Sequence, residues 1–146
     1  MEFYTLQEAD KLWDQLLDYA SCCSWRAGIS LVRKMNFNVF IDWERIVVAV
    51  EDNNIIGFCT ITKTDSTSDE RYMPYIGYIF VDEQNRGKRI SSQMIDFASD
   101  YLKTIGFKKV HIVSDHINLY EKYGFKVVDT ITSKSGNIEK IYQKDI

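Results

Sequence analysis

The stretch VDEQNRGKRISSQMIDFA, residues 81–98, joins the end of an apolar strand to an amphipathic helix. The basic turn RGKR, residues 86–89, lies at this junction, and Ser91 and Ser92 follow at the start of the helix. A helix N-terminus presents unpaired backbone N–H groups and a partial positive charge, and Gly87 lets a ligand approach the backbone closely. The stretch therefore predicts a binding site for a phosphate or diphosphate.

Neither common phosphate-binding fingerprint fits this turn. A P-loop needs GxxxxGK followed by Ser or Thr, and a dinucleotide site needs GxGxxG, and the stretch contains neither. A solvated basic surface turn is the alternative interpretation. The net charge of -3 argues against a general nucleic-acid binder, which carries a basic face, so the cluster indicates a local anionic ligand.

The composition is that of one ordinary folded domain. The chain has 146 residues, 45% hydrophobic and 27% charged, without repeats or linker-like segments, so we expect a single domain over residues 1–146. Two histidines and three cysteines show no metal-ligand or disulfide spacing, which predicts reduced thiols and no metal. A signal-peptide pattern and an apolar run of roughly 20 residues are both lacking, so we expect a cytoplasmic protein that does not bind membranes.

Hydrophobic periodicity predicts two helices before the first strand. Thr5 and Glu8 have capping-box spacing, and apolar residues at helical intervals predict a helix over residues 6–20. A second helix is predicted over residues 25–35. The later elements are predicted as strands 45–52, 55–63 and 72–82, helix 90–106, strand 107–115, short helix 117–124, and strands 125–132 and 139–145. One mixed sheet flanked by helices, an α/β architecture, is the natural packing for this order.

The segment IGYIFVDEQNRGKRISSQMIDFA, followed by INLYEKYGF, resembles the GCN5-related N-acetyltransferases, the GNAT superfamily. In that family an R/Q-x-x-G-x-G/A signature after the fourth strand binds the pyrophosphate of acetyl-CoA through backbone amides. Its position here is residues 86–91, with Arg89 and Ser91 at the two small-residue positions. The resemblance implies a GNAT-like domain with a mostly antiparallel sheet. This sheet would splay between the family's strands 4 and 5, which correspond here to the predicted strands 72–82 and 107–115.

The resemblance also implies an N-acetyltransferase that moves an acetyl group from acetyl-CoA to a primary amine by direct attack. The strand Ile79–Val81 would pair with the pantetheine arm through its backbone, and an N–H near Phe80 would polarise the thioester carbonyl. Asn118 and Tyr123 would contact the pantetheine or close the slot. The implied cofactor-binding residues are Ile79, Phe80, Val81, Arg86, Gly87, Lys88, Arg89, Ile90, Ser91, Ser92, Asn118 and Tyr123.

Tyr120 and His116 are the implied catalytic residues. Tyr120 falls on the tyrosine of the family's LYEKxGF motif, the general acid for the departing CoA thiolate; outside that motif it would be a packing residue. His116 could accept the proton of an ammonium substrate, since histidine titrates near neutral pH, or hydrogen-bond in a turn. Asp115 could orient His116 or cap the short helix. Glu83 and Asp65 are further candidate bases, and each could be a solvated carboxylate.

The acceptor pocket is expected where the resemblance is weakest. Trp25 and Arg26 lie where the first two predicted helices meet and could contact a substrate, although Trp25 could equally be buried packing. Asp65, Asp69 and Glu70 make the loop before the third predicted strand acidic, which indicates either a cationic acceptor or an ordinary charged loop. Two other function classes remain open, namely a non-catalytic acyl-CoA-binding module and an interaction or nucleic-acid-binding domain. The last hairpin offers an edge strand with which a second copy could form a homodimer.

Overall fold

The computed structural model describes residues 1–65, 70–133 and 135–146, which form one seven-stranded sheet. The strands are β1 (Glu2–Leu6), β2 (Arg45–Glu51), β3 (Asn54–Thr62), β4 (Tyr75–Val81), β5 (Lys109–Ser114), β6 (Lys126–Thr132) and β7 (Ile138–Asp145). Their order across the sheet is β1-β2-β3-β4-β5-β7-β6. Neighbouring strands are antiparallel except β4 and β5, which are parallel, so the predicted mixed and mostly antiparallel sheet is confirmed.

Helices cover both faces of the sheet. They are α1 (Lys11–Cys22), α2 (Ala27–Asn36) and α3 (Ile90–Thr104). Leu16 and Leu31 of α1 and α2 are 0% exposed against one face, and Met94 of α3 is 0% exposed against the other. Burying one such side chain stabilises the fold by roughly 1.5–3 kcal/mol. No helix among the described residues is long and apolar enough to cross a membrane.

The parallel strands β4 and β5 separate soon after they meet, as the resemblance implied. Within the described residues they share one paired position, Tyr75 opposite His111. The His111 N–H donates to the carbonyl of Pro74 at 3.0 Å, and its ring nitrogens lie 3.2 Å from the same carbonyl and 3.1 Å from Oε1 of Gln143. His111 therefore holds the closed end of a wedge that opens toward the C-terminal ends of both strands.

The predicted helix over residues 6–20 is wrong at its start. Thr5 and Leu6 belong to β1 and pair with β2, and α1 begins only at Lys11. Glu8 makes no capping box and instead accepts a hydrogen bond from Nδ2 of Asn38 at 2.6 Å. Pairing with an apolar strand 40 or so residues away thus outweighed the local capping signal, because tertiary contacts override weak helix propensity.

The predicted short helix over residues 117–124 is also wrong in extent. It is a 3₁₀ turn, Tyr120–Tyr123, which ends at Gly124 with a φ of 92°. Asn118 therefore does not share a helix with Tyr123 as expected, but lies in the preceding loop with a φ of 63°. A glycine suits the left-handed position that closes such a turn.

Candidate active site

A cleft of about 710 Å³ lies where β4 and β5 diverge. One wall is residues 76–79 of β4, and the other runs from Ile112 of β5 through His116 to Tyr120. Trp25 and residues of α2 line the cleft as well. Clefts of this size commonly bind small molecules.

β4 carries a bulge at the wall of this cleft. The register of the β3–β4 pair shifts between Phe58 and Thr60, so Tyr78 and Ile79 stand opposite a single residue of β3. Tyr78 has a φ of 47°, which a residue with a side chain seldom adopts. A bulge interrupts the ladder of hydrogen bonds. The bulge therefore supplies backbone groups for a ligand beside the cleft.

The turn between β4 and α3 presents backbone N–H groups to solvent. Gly87 and Arg89 have φ values of 81° and 62°, and Arg89 is the N-cap residue of α3 without a side-chain capping bond. A Cβ built at Gly87 would meet nothing within 4 Å, so the space beside it is open. Successive backbone N–H groups in a turn with left-handed residues before a helix N-terminus can form a concave anion site. This geometry fits a diphosphate.

The three basic side chains of the turn do not act alike. Nε of Arg86 donates to the carbonyl of Val81 at 3.0 Å, and its guanidinium lies 5.7 Å from the centre of the Phe80 ring. Lys88 reaches Asn85 at 3.4 Å, while Arg89 is exposed. Arg86 therefore fastens the turn to the end of β4, and Lys88 and Arg89 remain as surface cations.

Tyr120 is buried beside the cleft, with 6% of its surface exposed. Its ring is packed edge-on or tilted against His116, Tyr123, Phe125 and Tyr142 at 5.5–6.3 Å between centroids. Burial raises the pKa of Tyr120 to about 12, against an opposing hydrogen-bond contribution from Ser114. The phenol is therefore fully protonated at neutral pH, as a proton donor must be.

The other predicted residues on this side are not all at the cleft. His116 is exposed and lines the cleft, and its backbone is held because its N–H donates to Oγ of Ser114 at 3.0 Å. Asn118 is exposed and is not among the lining residues. Tyr123 lies outside the lining too, but its hydroxyl is 2.9 Å from Oγ of Ser91 in the first turn of α3.

Of the three residues predicted to bind the acceptor, Trp25 and Asp65 line the cleft, whereas Arg26 is exposed outside the lining; their binding role stays a prediction. Trp25 is 37% exposed and stacks on Phe80 with ring centroids 5.9 Å apart. Asp65 lies against β4, since a Cβ at Gly77 would come within 2.6 Å of its Oδ2. Asp69 lies outside the described residues.

Sequence reasoning missed several residues that line the cleft. Lys34 projects from α2, Glu139 from β7, and Tyr78 from the bulge, where hydrogen bonding to Ser30 partly offsets the effect of burial that raises the Tyr78 pKa. The glycine in the strand YIGYIFV was the one available signal, because an isolated glycine in a strand often marks a bulge. Nothing in the local sequence indicated Lys34 or Glu139.

Cys59 and the arrangement of potential metal ligands bear on whether the protein has a thiol or metal site. Burial raises the pKa of the Cys59 thiol to about 12, so this residue opposite the bulge is not a nucleophilic thiolate. Among residues 1–65, 70–133 and 135–146, no group of three or more His, Cys, Asp or Glu side chains is arranged to hold a metal ion.

The sequence profile of the Acetyltransferase (GNAT) domain matches residues 42–127, which include the bulge, the basic turn and Tyr120. The chain therefore belongs to the GNAT acetyltransferase family, and the enzyme class expected from the resemblance is confirmed.

Solved structures share the whole fold. The aminoglycoside 6'-acetyltransferase type Ii superposes with a TM-score of 0.72 at 18% identity, covering 99% of this chain and 97% of that one. The aminoglycoside 6'-N-acetyltransferase from Enterococcus faecium gives 0.73 at 15% identity with the same coverage. The PaiA N-acetyltransferase from Thermoplasma acidophilum, in complex with coenzyme A, gives 0.67 at 18% identity, covering 99% and 98%. At these identities the likeness establishes the fold.

Proposed function

We propose that this protein transfers an acetyl group from acetyl-CoA to a primary amine of a small cationic acceptor. The observation that carries the proposal is the position of Tyr120, a buried and protonated phenol at a cleft formed where β4 and β5 separate. The anion site at the start of α3 follows β4 directly in the chain. Family membership makes acetyl-CoA the expected donor, and coenzyme A is present in a structural neighbour.

The residues fit acetyl-CoA in three places. The N–H groups of residues 87–92 would hold the diphosphate at the N-terminus of α3. The β5-facing edge of Ile79–Val81 would pair with the pantetheine arm, since β4 is paired with β5 only at Tyr75. A backbone N–H at the bulge or near Phe80 would hold the thioester oxygen. When bound, acetyl-CoA supplies the activated acyl group.

Two side chains would serve as proton acceptor and proton donor in the reaction. The amine must lose a proton before attack, and His116, which is exposed at the cleft, would accept it directly or through water. Tyr120 would donate its proton toward the departing sulfur. Because its pKa of about 12 exceeds the roughly 8.5 of an ordinary thiol, transfer of the proton to the thiolate is unfavourable by itself. We therefore propose that a hydrogen bond from Ser114 stabilises the phenolate that forms.

Charge at the cleft favours a cationic acceptor. Asp65, Asp115 and Glu139 line it, with Lys34 as an opposing cation. An exposed Trp25 adds an apolar surface beside these carboxylates, as a sugar ring or an alkyl chain requires. Three structural neighbours are named as aminoglycoside acetyltransferases, so we propose aminoglycosides, and polyamines as similar cationic amines, as the first acceptor classes.

Steady-state assays of CoA thiol release from acetyl-CoA would test the proposal, with kanamycin A, spermidine and a lysine-containing peptide as candidate acceptors. Mass spectrometry would have to find the acetylated amine as product. The proposal expects turnover with at least one amine that exceeds hydrolysis of acetyl-CoA alone. Acetyl-CoA binding without turnover on any amine would favour the acyl-CoA-binding module instead, and absence of both would refute the proposal.

A further inference from the structure

The Ser91–Tyr123 pair connects two elements on opposite sides of the β4–β5 wedge. Ser91 lies in the first turn of α3, which follows β4, and Tyr123 ends the 3₁₀ turn that follows β5. Their hydroxyl oxygens are 2.9 Å apart although the residues are 32 positions apart in sequence. Both side chains are partly buried, which protects the hydrogen bond from competition by water.

Tyr123 is also in contact with the proposed acid. Its ring packs edge-on to that of Tyr120, with centroids 6.2 Å apart and planes 75° apart. Its carbonyl accepts a hydrogen bond of 2.8 Å from Nζ of Lys144, and that ammonium lies 4.0 Å from Asp96 of α3. Tyr123 is thus tied to α3 through its hydroxyl and, by way of Lys144, through its carbonyl, while its ring supports Tyr120.

We propose that Ser91 and Tyr123 form a clasp that sets the distance between the diphosphate site on α3 and the phenol of Tyr120. This inference rests on the proposed function, because it assigns the diphosphate to the α3 turn and the proton to Tyr120. A cofactor anchored at one end and reacting at the other needs the two ends held in register, and misplacement by about 1 Å can cost a hundredfold in rate. Both residues are positioning residues.

The clasp also prepares the site before the cofactor arrives. Without the hydrogen bond, the start of α3 and the 3₁₀ turn would have to be brought together on binding, and affinity would fall because binding would bear that cost. Pantetheine has no diphosphate and does not engage α3. Loss of the clasp should therefore weaken binding of CoA but not of pantetheine, whereas general damage to the fold would weaken both.

Calorimetric titration with CoA and NMR titration with pantetheine would test the clasp in the full-length protein. The variants are Tyr123→Phe, which keeps the ring, Ser91→Ala, and the double variant, with Gln93→Ala, an exposed change in α3, as the control and Ser91→Thr as the rescue. We expect each single variant to bind CoA about 5- to 10-fold more weakly, the double variant to lose no more than either, and pantetheine binding to be unchanged.

Several outcomes would overturn the clasp. They are unchanged CoA affinity in the single variants, losses that multiply in the double variant, or equal losses for CoA and pantetheine. Those results, with wild-type binding intact, would leave the proposed function standing. If the folded wild type bound no CoA at all, the proposed function and the clasp would fail together.

Discussion

The two halves of the proposed site are built in different ways. The half proposed for the cofactor comes from two short continuous stretches, residues 79–92 and 114–123, and much of it is backbone, at the bulge and at the N-terminus of α3. The half proposed for the acceptor is assembled from side chains of distant segments, such as Trp25, Lys34 and Glu139. A site made of backbone tolerates changes of side chain, whereas a site made of side chains changes its ligand when they change.

This difference explains the departures from the family signature. Arg89 and Ser91 stand where the signature has small residues, yet the backbone keeps the left-handed turn and the free helix terminus. The N–H groups proposed to bind phosphate belong to the backbone, so a larger side chain at Arg89 or Ser91 does not remove them. The cofactor half thus remains recognisable from sequence when the acceptor half does not.

The largest effect is expected at Tyr120, the one side chain near the proposed cofactor site to which we assign a proton transfer. Tyr120→Phe should lower kcat by about 10²–10⁴-fold, as removal of a general acid does, with CoA affinity unchanged by calorimetry. Tyr101→Phe is the matched control, since the Tyr101 hydroxyl donates to the carbonyl of Trp43 away from the cleft. A Tyr120→Phe enzyme within threefold of wild-type kcat would exclude the assignment.

A glutamate at Gly87 should damage the backbone site itself. We expect Gly87→Glu to weaken CoA binding by about 10- to 100-fold, because it adds strain at a φ of 81° and a negative charge beside the diphosphate. Gly106→Glu is the control, with a φ of 103° and equally open space at the other end of α3. Equal losses in both variants would mean that strain alone is responsible.

A substitution in the half proposed for the acceptor should change acceptor binding without changing CoA binding. Asp65→Asn is expected to raise the KM of a cationic acceptor about 10-fold, as loss of a charged hydrogen bond does, while CoA affinity stays constant. Asp100→Asn, an exposed change on α3, serves as the control. If CoA affinity fell together with acceptor affinity, the two halves would not be independent.

The closed end of the wedge predicts a pH dependence of stability. Burial lowers the pKa of His111 below its usual value of 6.5, and hydrogen bonds from its ring to the carbonyl oxygens of Gln143 and Pro74 oppose the shift. The unfolded chain then binds the proton more readily, so stability is full above pH 6.5 and falls as pH drops toward the folded pKa. Denaturant titrations of wild type and His111→Gln should show a shallower decline for the variant. Parallel curves would contradict this account.

The smallest effect is expected at Arg89. Arg89→Asn should leave CoA affinity within about threefold of wild type, since the phosphate contacts are assigned to the backbone. It should also raise the free energy of unfolding by about 1 kcal/mol, because asparagine tolerates a φ of 62° better than arginine. Thermal unfolding and calorimetry would measure both, with Lys88→Asn as the control. A tenfold loss of affinity would show that the cation itself binds the phosphate.

The sequence predicted correctly those elements whose structure is determined by residues close together in the chain. The junction of β4 and α3, the strands that follow, and Tyr120 in its motif were all recognisable because neighbouring residues define them. β1 was not, since Glu2–Leu6 is a strand only because β2 lies beside it. The bulge at Tyr78 and the Ser91–Tyr123 bond likewise depend on partners that are distant in sequence.

Hydrogen–deuterium exchange with and without acetyl-CoA would test the central claim, that the cofactor binds in the wedge between β4 and β5. We expect slower exchange at the amides of residues 78–81 and 87–92 when acetyl-CoA is bound, with no change in β1 or in the β6–β7 hairpin. Binding of acetyl-CoA that leaves residues 78–81 and 87–92 exchanging at their free rates would place the cofactor elsewhere and contradict the account.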